Sequence, residues 1–169
     1  MKNFLVLLIL CSPLTFFAQA VQNVANGFIS YSKDRVLMLA DKFSEEQYDW
    51  RPAEGVRSVG EVLLHIAGGN YFFMTSSGAA APDGIDLQNI EKMQGKAAII
   101  ETLTTSYSAL TDHIGNMQDG QLGDKVELPW PGDHTKLTIV MLGVDHTSEH
   151  LGQLIAYARM NGITPPWSE

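Results

Sequence analysis

Cysteine is almost missing from this chain of 169 residues; the only one is Cys11, inside an apolar N-terminal stretch. Past that stretch, disulfides, cysteine-based zinc sites and cysteine nucleophiles are excluded by counting. Basic residues are scarce as well. Eleven Lys and Arg stand against 19 Asp and Glu, for a net charge of −8. Nucleic-acid affinity rests on clustered Lys and Arg, and no such cluster occurs, so no nucleic-acid partner is expected. No apolar run after Phe17 approaches the roughly 20 residues of a membrane span, which excludes a polytopic membrane protein. Convincing strand alternation is also lacking.

The N-terminal stretch has its own logic. Lys2 supplies a positive start, Phe4 to Phe17 is apolar apart from Ser12, Pro13 and Thr15, and Ala18-Gln19-Ala20 is an A-x-A site. That order is a secretory signal peptide. The expectation is a signal over residues 1–20, cleavage after Ala20, and one domain over 21–169, long enough for a real core. Only Lys2 among the charged residues leaves with the signal, so the mature chain is more acidic still. Lipid attachment at Cys11 ranks second, because Leu10 stands where a small residue is expected. The expected location is the periplasm or the cell exterior.

Four segments carry helical periodicity. The first runs from about Gln22 to Lys42, with Ala25, Ile29, Val36, Leu39 and Phe43 on its inner face. The second opens at Ser58-Val59-Gly60-Glu61, a capping box, and runs to about Ser76 with Val59, Val62, Leu63, Ile66 and Phe73 inward. Gly68-Gly69 costs this helix roughly 1 kcal/mol per glycine relative to alanine; close approach of a neighbouring backbone or a ligand would account for it. The third is read over Ile90 to Met117, on the stripe Met93, Ala97, Ile100, Leu103, Tyr107, Leu110, Ile114 and Met117. The fourth runs from about Leu137 to Asn161, stopped by Gly162 and Pro165-Pro166. Ile139 to Val144 is apolar on nearly all sides, which suggests a central helix. Together they predict an all-α four-helix bundle.

Chemistry concentrates in three of five histidines. His146 and His150 are four apart on the fourth helix, so both rings leave one face, one turn apart. That spacing lets two imidazoles share an ion. His65 lies on the second helix, and supplies a third nitrogen if the two helices are neighbours. Three imidazoles leave room for water or substrate, the coordination of a catalytic site rather than a closed one. The bland alternative is that each is a hydrogen-bonded core histidine. His113 and His134 read as surface residues.

His146-Thr147-Ser148-Glu149-His150 also matches H-x-x-E-H, in which Glu149 would be the general base. A protease needs a sheet edge to hold an extended peptide, and no strands are available to build one. Glu61, one turn before His65, could accept a proton or a hydrogen bond from the site, although its cap explains it adequately. Trp50 and Trp130 fit either a pocket mouth or a cover for the core, and Tyr157 either a site hydroxyl or core.

Three stretches together resemble a known family, the DinB-like (DinB/YfiT) metalloenzymes. Trp50-Arg51-Pro52, then Ser58-x-x-Glu61-x-x-x-His65, is similar to its entry into the second helix. His146-x-x-x-His150-x-x-Gln153 is similar to its last-helix motif, and Arg159-x-x-Gly162-x-x-Pro165-Pro166 to its closing motif. The resemblance spans the mature chain and implies a bundle of up-down-down-up type. It implies a divalent metal, zinc or nickel first, on His65, His146 and His150. It also implies a hydrolase or a thiol-dependent S-transferase acting on a small molecule, and makes a homodimer reasonable. Glu61 and Glu149 are the candidate proton acceptors. Export departs from the family's mostly cytoplasmic habit and weakens the thiol reading. A non-catalytic bundle holding a metal or an apolar ligand is the alternative.

Overall fold

The structure, a computed structural model, describes residues 19–80 and 82–168. The signal-peptide reading and Cys11 rest on residues that lie outside the described ones. Among the described residues, four long helices account for most of the chain: α1 (Ala20–Lys42), α2 (Val59–Ser76), α3 (Lys96–Asn116) and α4 (Lys136–Met160). No helix among them is long and apolar enough to cross a membrane.

The inner face expected of α1 is buried in full, through Ala25, Ile29, Val36, Leu39 and Phe43. The capping box of α2 is also present. Ser58 Oγ accepts the Glu61 N–H at 3.3 Å, and the Ser58 N–H donates to Glu61 Oε2 at 2.7 Å. These bonds satisfy two N–H groups that the helix leaves open, and they start α2 at one residue.

The third helix departs from expectation. Ile90–Lys92 is a separate 3-10 turn, and α3 begins only at Lys96, after Gly95 at φ 93°. An L-residue rarely adopts that φ, so Gly95 breaks what the stripe read as one helix. The buried face shifts with it: Ile99 is buried, and Ala97 is exposed. Two further corrections concern α4 and its approach. Met141 is 54% exposed and Leu137 39% exposed, so the helix is amphipathic rather than central. A short antiparallel pair, β1 (Lys125–Val126) with β2 (His134–Thr135), precedes it, where no strand was expected.

Packing places α1 beside α3 and α4, and α2 beside α3 and α4. Side-chain bonds give the directions. Gln22 near the start of α1 donates to Met117 O just past α3, while Lys96 at the start of α3 donates to Asp41 O and Phe43 O. These two helices are therefore antiparallel. Asn70 donates to Ser106 and Ser77 bonds His113, so α2 and α3 run parallel. Ser32 on α1 meets Ser148 on α4, while His65 meets His146 and Tyr157 bonds Arg57 O just before α2. The helices thus run up, down, down, up. In this arrangement α2 and α4 are antiparallel neighbours, and that contact positions the histidines.

Candidate metal centre

Two of the three histidines come from one turn of α4 and the third from the facing turn of α2. The ring centroids of His65, His146 and His150 are 4.5, 4.8 and 5.1 Å apart, pair by pair. One nitrogen from each lies within 4.8 Å of the others. The tilt of His146 into this cluster depends on Gly69. A Cβ at that position would lie 2.4 Å from His146 Cε1 and 2.9 Å from Nδ1. What approaches the Gly68-Gly69 pair is neither backbone nor ligand but two side chains, the His146 imidazole at Gly69 and Ile90 at Gly68, 3.3 Å away.

Hydrogen bonds fix which nitrogen points inward. His65 Nδ1 is 2.8 Å from Glu91 Oε1. Glu91 also receives Arg57 Nε at 2.9 Å and Nη2 at 3.2 Å. Burial pushes the Glu91 carboxyl up, but the bonds from Arg57 and His65 outweigh it, and its pKa lies below the ordinary range. An ionised carboxylate only accepts, so His65 Nδ1 carries the proton and Nε2 presents its lone pair.

His150 is held by a longer chain. Its Nδ1 is 2.8 Å from Gln153 Oε1. Gln153 Nε2 donates to the Tyr157 hydroxyl at 2.9 Å, and that hydroxyl donates to Arg57 O at 3.0 Å. A carbonyl at the end of the chain leaves Tyr157 no choice of direction. That orients the Gln153 amide with its oxygen toward His150, so Nδ1 donates and Nε2 is free. Tyr157 therefore acts as an anchor rather than as a hydroxyl offered to substrate.

His146 has no such support. Its Nδ1 is buried without a hydrogen-bond partner, and its Nε2 is 3.3 Å from His65 Nε2. Burial, with the neighbouring His150 and His65, pushes its pKa down to about 3. Burial likewise lowers the pKa of His65, against the opposing pull of Glu91. Both rings are neutral near pH 7, the protonation state a metal ligand requires.

The donor set fits a divalent transition ion. At zinc–nitrogen distances of about 2.0–2.1 Å, tetrahedral ligand nitrogens sit roughly 3.3–3.4 Å apart; His65 Nε2 and His146 Nε2 are 3.3 Å apart, and one nitrogen from each of the three rings lies within 4.8 Å of the others. The ligands present lone pairs, and two have their outer N–H groups secured. The three residues can therefore hold a metal ion.

Glu61 lies in its capping box and accepts from Arg51 Nη2 at 3.1 Å. The Ser58 N–H, more than Arg51, holds its pKa below the ordinary value. It lines a polar cleft with Arg51, Arg57, Glu91 and Gln153. Glu149 is exposed, next to His150 in sequence but about 100° around the helix. His113 is half-buried and bonded to Ser77 at 2.7 Å, not a free surface residue. His134 sits on β2 beside Trp130, their ring centroids 6.1 Å apart. Sequence reading missed Glu91 and Arg57. The one signal for Glu91 was Gly95, which was read through as if the helix continued across it.

The fold has counterparts among known proteins. The family model of the DinB superfamily matches residues 29–154. The chain belongs to that superfamily. The uncharacterized protein YjoA of Bacillus subtilis is 28% identical over 131 residues, covering 75% of this chain and 81% of YjoA. The crystal structure of YjoA, a DinB-like protein, superposes with a TM-score of 0.67 at 20% identity, over 84% of this chain and 94% of that one. A DinB-like protein from Bacillus cereus gives 0.65 at 17% identity, over 83% and 94%. A conserved protein from Enterococcus faecalis gives 0.66 at 15%, over 82% and 95%. At these identities the structures establish a shared fold.

Proposed function

We propose that this protein is an exported metal-dependent enzyme that binds a divalent transition ion, zinc or nickel, through His65, His146 and His150. The observation that carries the reading is the pair of anchors behind the ligands. Glu91 and Gln153 each fix an Nδ1–H, so that the Nε2 lone pairs of His65 and His150 are available. Hydrogen-bonded core histidines have no reason also to turn their free nitrogens toward one another, as His65 and His146 do at 3.3 Å. An ion held there supplies Lewis acidity, which a hydrolase applies to water and a thiol-dependent S-transferase to a sulfhydryl. Arg57 holds Glu91 ionised and in place. Of the two candidate proton acceptors, Glu61 shares a cleft with Glu91 and is kept ionised, whereas Glu149 is exposed.

Export is supported by Lys2, the apolar run and the A-x-A site; N-terminal sequencing of the exported protein should begin at Val21. Self-association is supported by a second stripe on α1. Val21, Val24, Phe28, Tyr31 and Met38 recur at threes, fours and their sums, and are 40–60% exposed, with Met141 beside the first three. Exposed apolar patches of this kind mark interaction surfaces. We read its occupant as a second copy across a two-fold axis. Sedimentation should give a dimer, and Phe28→Glu a monomer that retains its metal.

The central test is elemental analysis of the untagged protein beside its His146→Ala/His150→Ala variant. About one equivalent of transition metal in the wild type, and little in a variant that remains folded, is the expected result. A wild type that stays empty after incubation with zinc, nickel, manganese and iron would overturn the reading.

A further inference from the structure

A cavity of about 500 Å³ opens directly beside the histidines. That is within the range of small-molecule sites. Its polar lining is His65, His146 and Glu91, and Gly68 and Gly69 line it without side chains. Its walls are Phe72, Phe73, Leu87, Ile90 and Trp130. The aromatic walls are mutually braced: Phe72 is 5.7 Å from Phe73 and 6.1 Å from Trp130, and Phe73 stands edge-on to His146 at 5.4 Å, between ring centroids.

The polar groups of this cavity are nearly all spoken for. The Thr75 hydroxyl donates to Tyr71 O at 2.9 Å and Phe72 O at 3.1 Å, within its own helix. Glu91 is taken up by Arg57 and His65. No Lys or Arg lines the cavity. A ligand carrying several charges would leave them unpaired against aromatic walls, at a cost set by lost hydration. The polar groups left to meet a ligand are the His65 and His146 imidazoles, whose Nε2 atoms converge. The polar cleft lined by Arg51, Arg57, Glu61 and Gln153 lies on the other side of Glu91, which lines both.

We infer that the substrate is a small apolar molecule bearing an aromatic or similarly compact ring. The ring packs against the face formed by Phe72, Phe73 and Trp130, and a single polar group reaches His65 and His146. This deepens the metal-enzyme reading and rests on it for the reaction, though not for where the ring binds. It also separates the substrate from any charged thiol cosubstrate, which these walls do not suit.

The test uses 4-fluorobenzyl alcohol as probe and glutathione as its polar comparator. Each is titrated into the ¹⁵N-labelled full protein, both metal-free and zinc-treated. The alcohol is expected to shift the amides of Gly68, Gly69 and Phe72 and the Trp130 indole N–H in both forms. Phe72→Ala, and independently Trp130→Ala in the connecting loop, should each weaken it about tenfold while leaving zinc uptake intact. Shifts confined to the exposed α1 stripe would overturn the inference. So would unchanged affinity in both variants, or tighter binding of glutathione at the same amides. If the alcohol binds as expected but no zinc is taken up, the cavity assignment stands and the three-histidine reading falls.

Discussion

At the scale of single residues, Gly69 and Glu91 decide whether the histidines form a site. An alanine at 69 would place its Cβ against the His146 ring, 2.4 Å from Cε1. The ring must move, because the other side of the contact is helix backbone. Gly69→Ala is therefore expected to keep its helical content and lose metal affinity. Gly68→Ala meets only the flexible end of Ile90 at 3.3 Å, and should keep its metal. Metal titration of the two variants side by side distinguishes displacement of the ligand from a general effect on the helix. Equal affinities would show that the ring position at Gly69 has no bearing on binding.

Glu91 and Glu61 are acidic residues of similar exposure that the structure assigns to different tasks. Glu91 bonds a ligand, and Glu61 bonds a helix end. Removing the partner behind a ligand typically lowers metal affinity by about 10–100-fold. Glu91→Ala should show that loss in competition with a chromophoric chelator. Glu61→Ala should leave metal affinity within a factor of a few and lose about 1 kcal/mol of stability with the cap. The three histidines and the Glu61 cap were legible in the sequence because helical spacing and a capping box are local patterns. Glu91 is 26 residues from His65 along the chain, and only the fold of the intervening loop brings them together.

At the scale of elements, the outcome turned on where helices begin and end. The face of α1 and the start of α2 followed from periodicity and a cap. For α3, the stripe of apolar residues continued through Met93, and periodicity alone cannot see a glycine at positive φ. The break at Gly95 frees Ile90–Lys92 to fold under α2, and so places Ile90 against Gly68 and Glu91 against His65. The outer stripe of α1 shows the converse. It is nearly as regular as the inner one, yet the bundle leaves it exposed.

His113 ties α3 to the end of α2 through Ser77 and gives a pH test of that contact. Burial, with Lys136 nearby, lowers its pKa from 6.5. The unfolded chain therefore binds this proton more readily than the folded one. The contribution is present above about pH 6.5 and is lost as pH falls through the folded value. Denaturant unfolding at pH 7.5 and at pH 5 should show a smaller loss of stability in His113→Gln than in the wild type. An equal loss in both proteins would mean that His113 keeps its ordinary affinity for protons.

At the scale of the whole molecule, the ring of helices and the site impose opposite demands. Placing α2 antiparallel to α4 brings three imidazoles into the interior, where an apolar core would be simpler. One of them, His146, keeps a buried nitrogen without a partner, which costs about 1–3 kcal/mol. The proposed metal site would account for keeping a residue that makes poor core. This predicts a crossing of stabilities. Zinc at 100 times its dissociation constant stabilises the folded state by about 2.7 kcal/mol, or roughly 5–10 °C in Tm for a domain of this size. His146→Leu should respond to zinc by no more than a degree or two. Without metal, the same variant should melt at or above the wild type, because a leucine needs no hydrogen-bond partner. Thermal melts of both proteins, with zinc and with chelator, give the four values. A variant that melts well below the wild type in chelator would mean that the histidines hold the bundle together as core residues. The crossing would mean that the bundle gives up stability to hold them there.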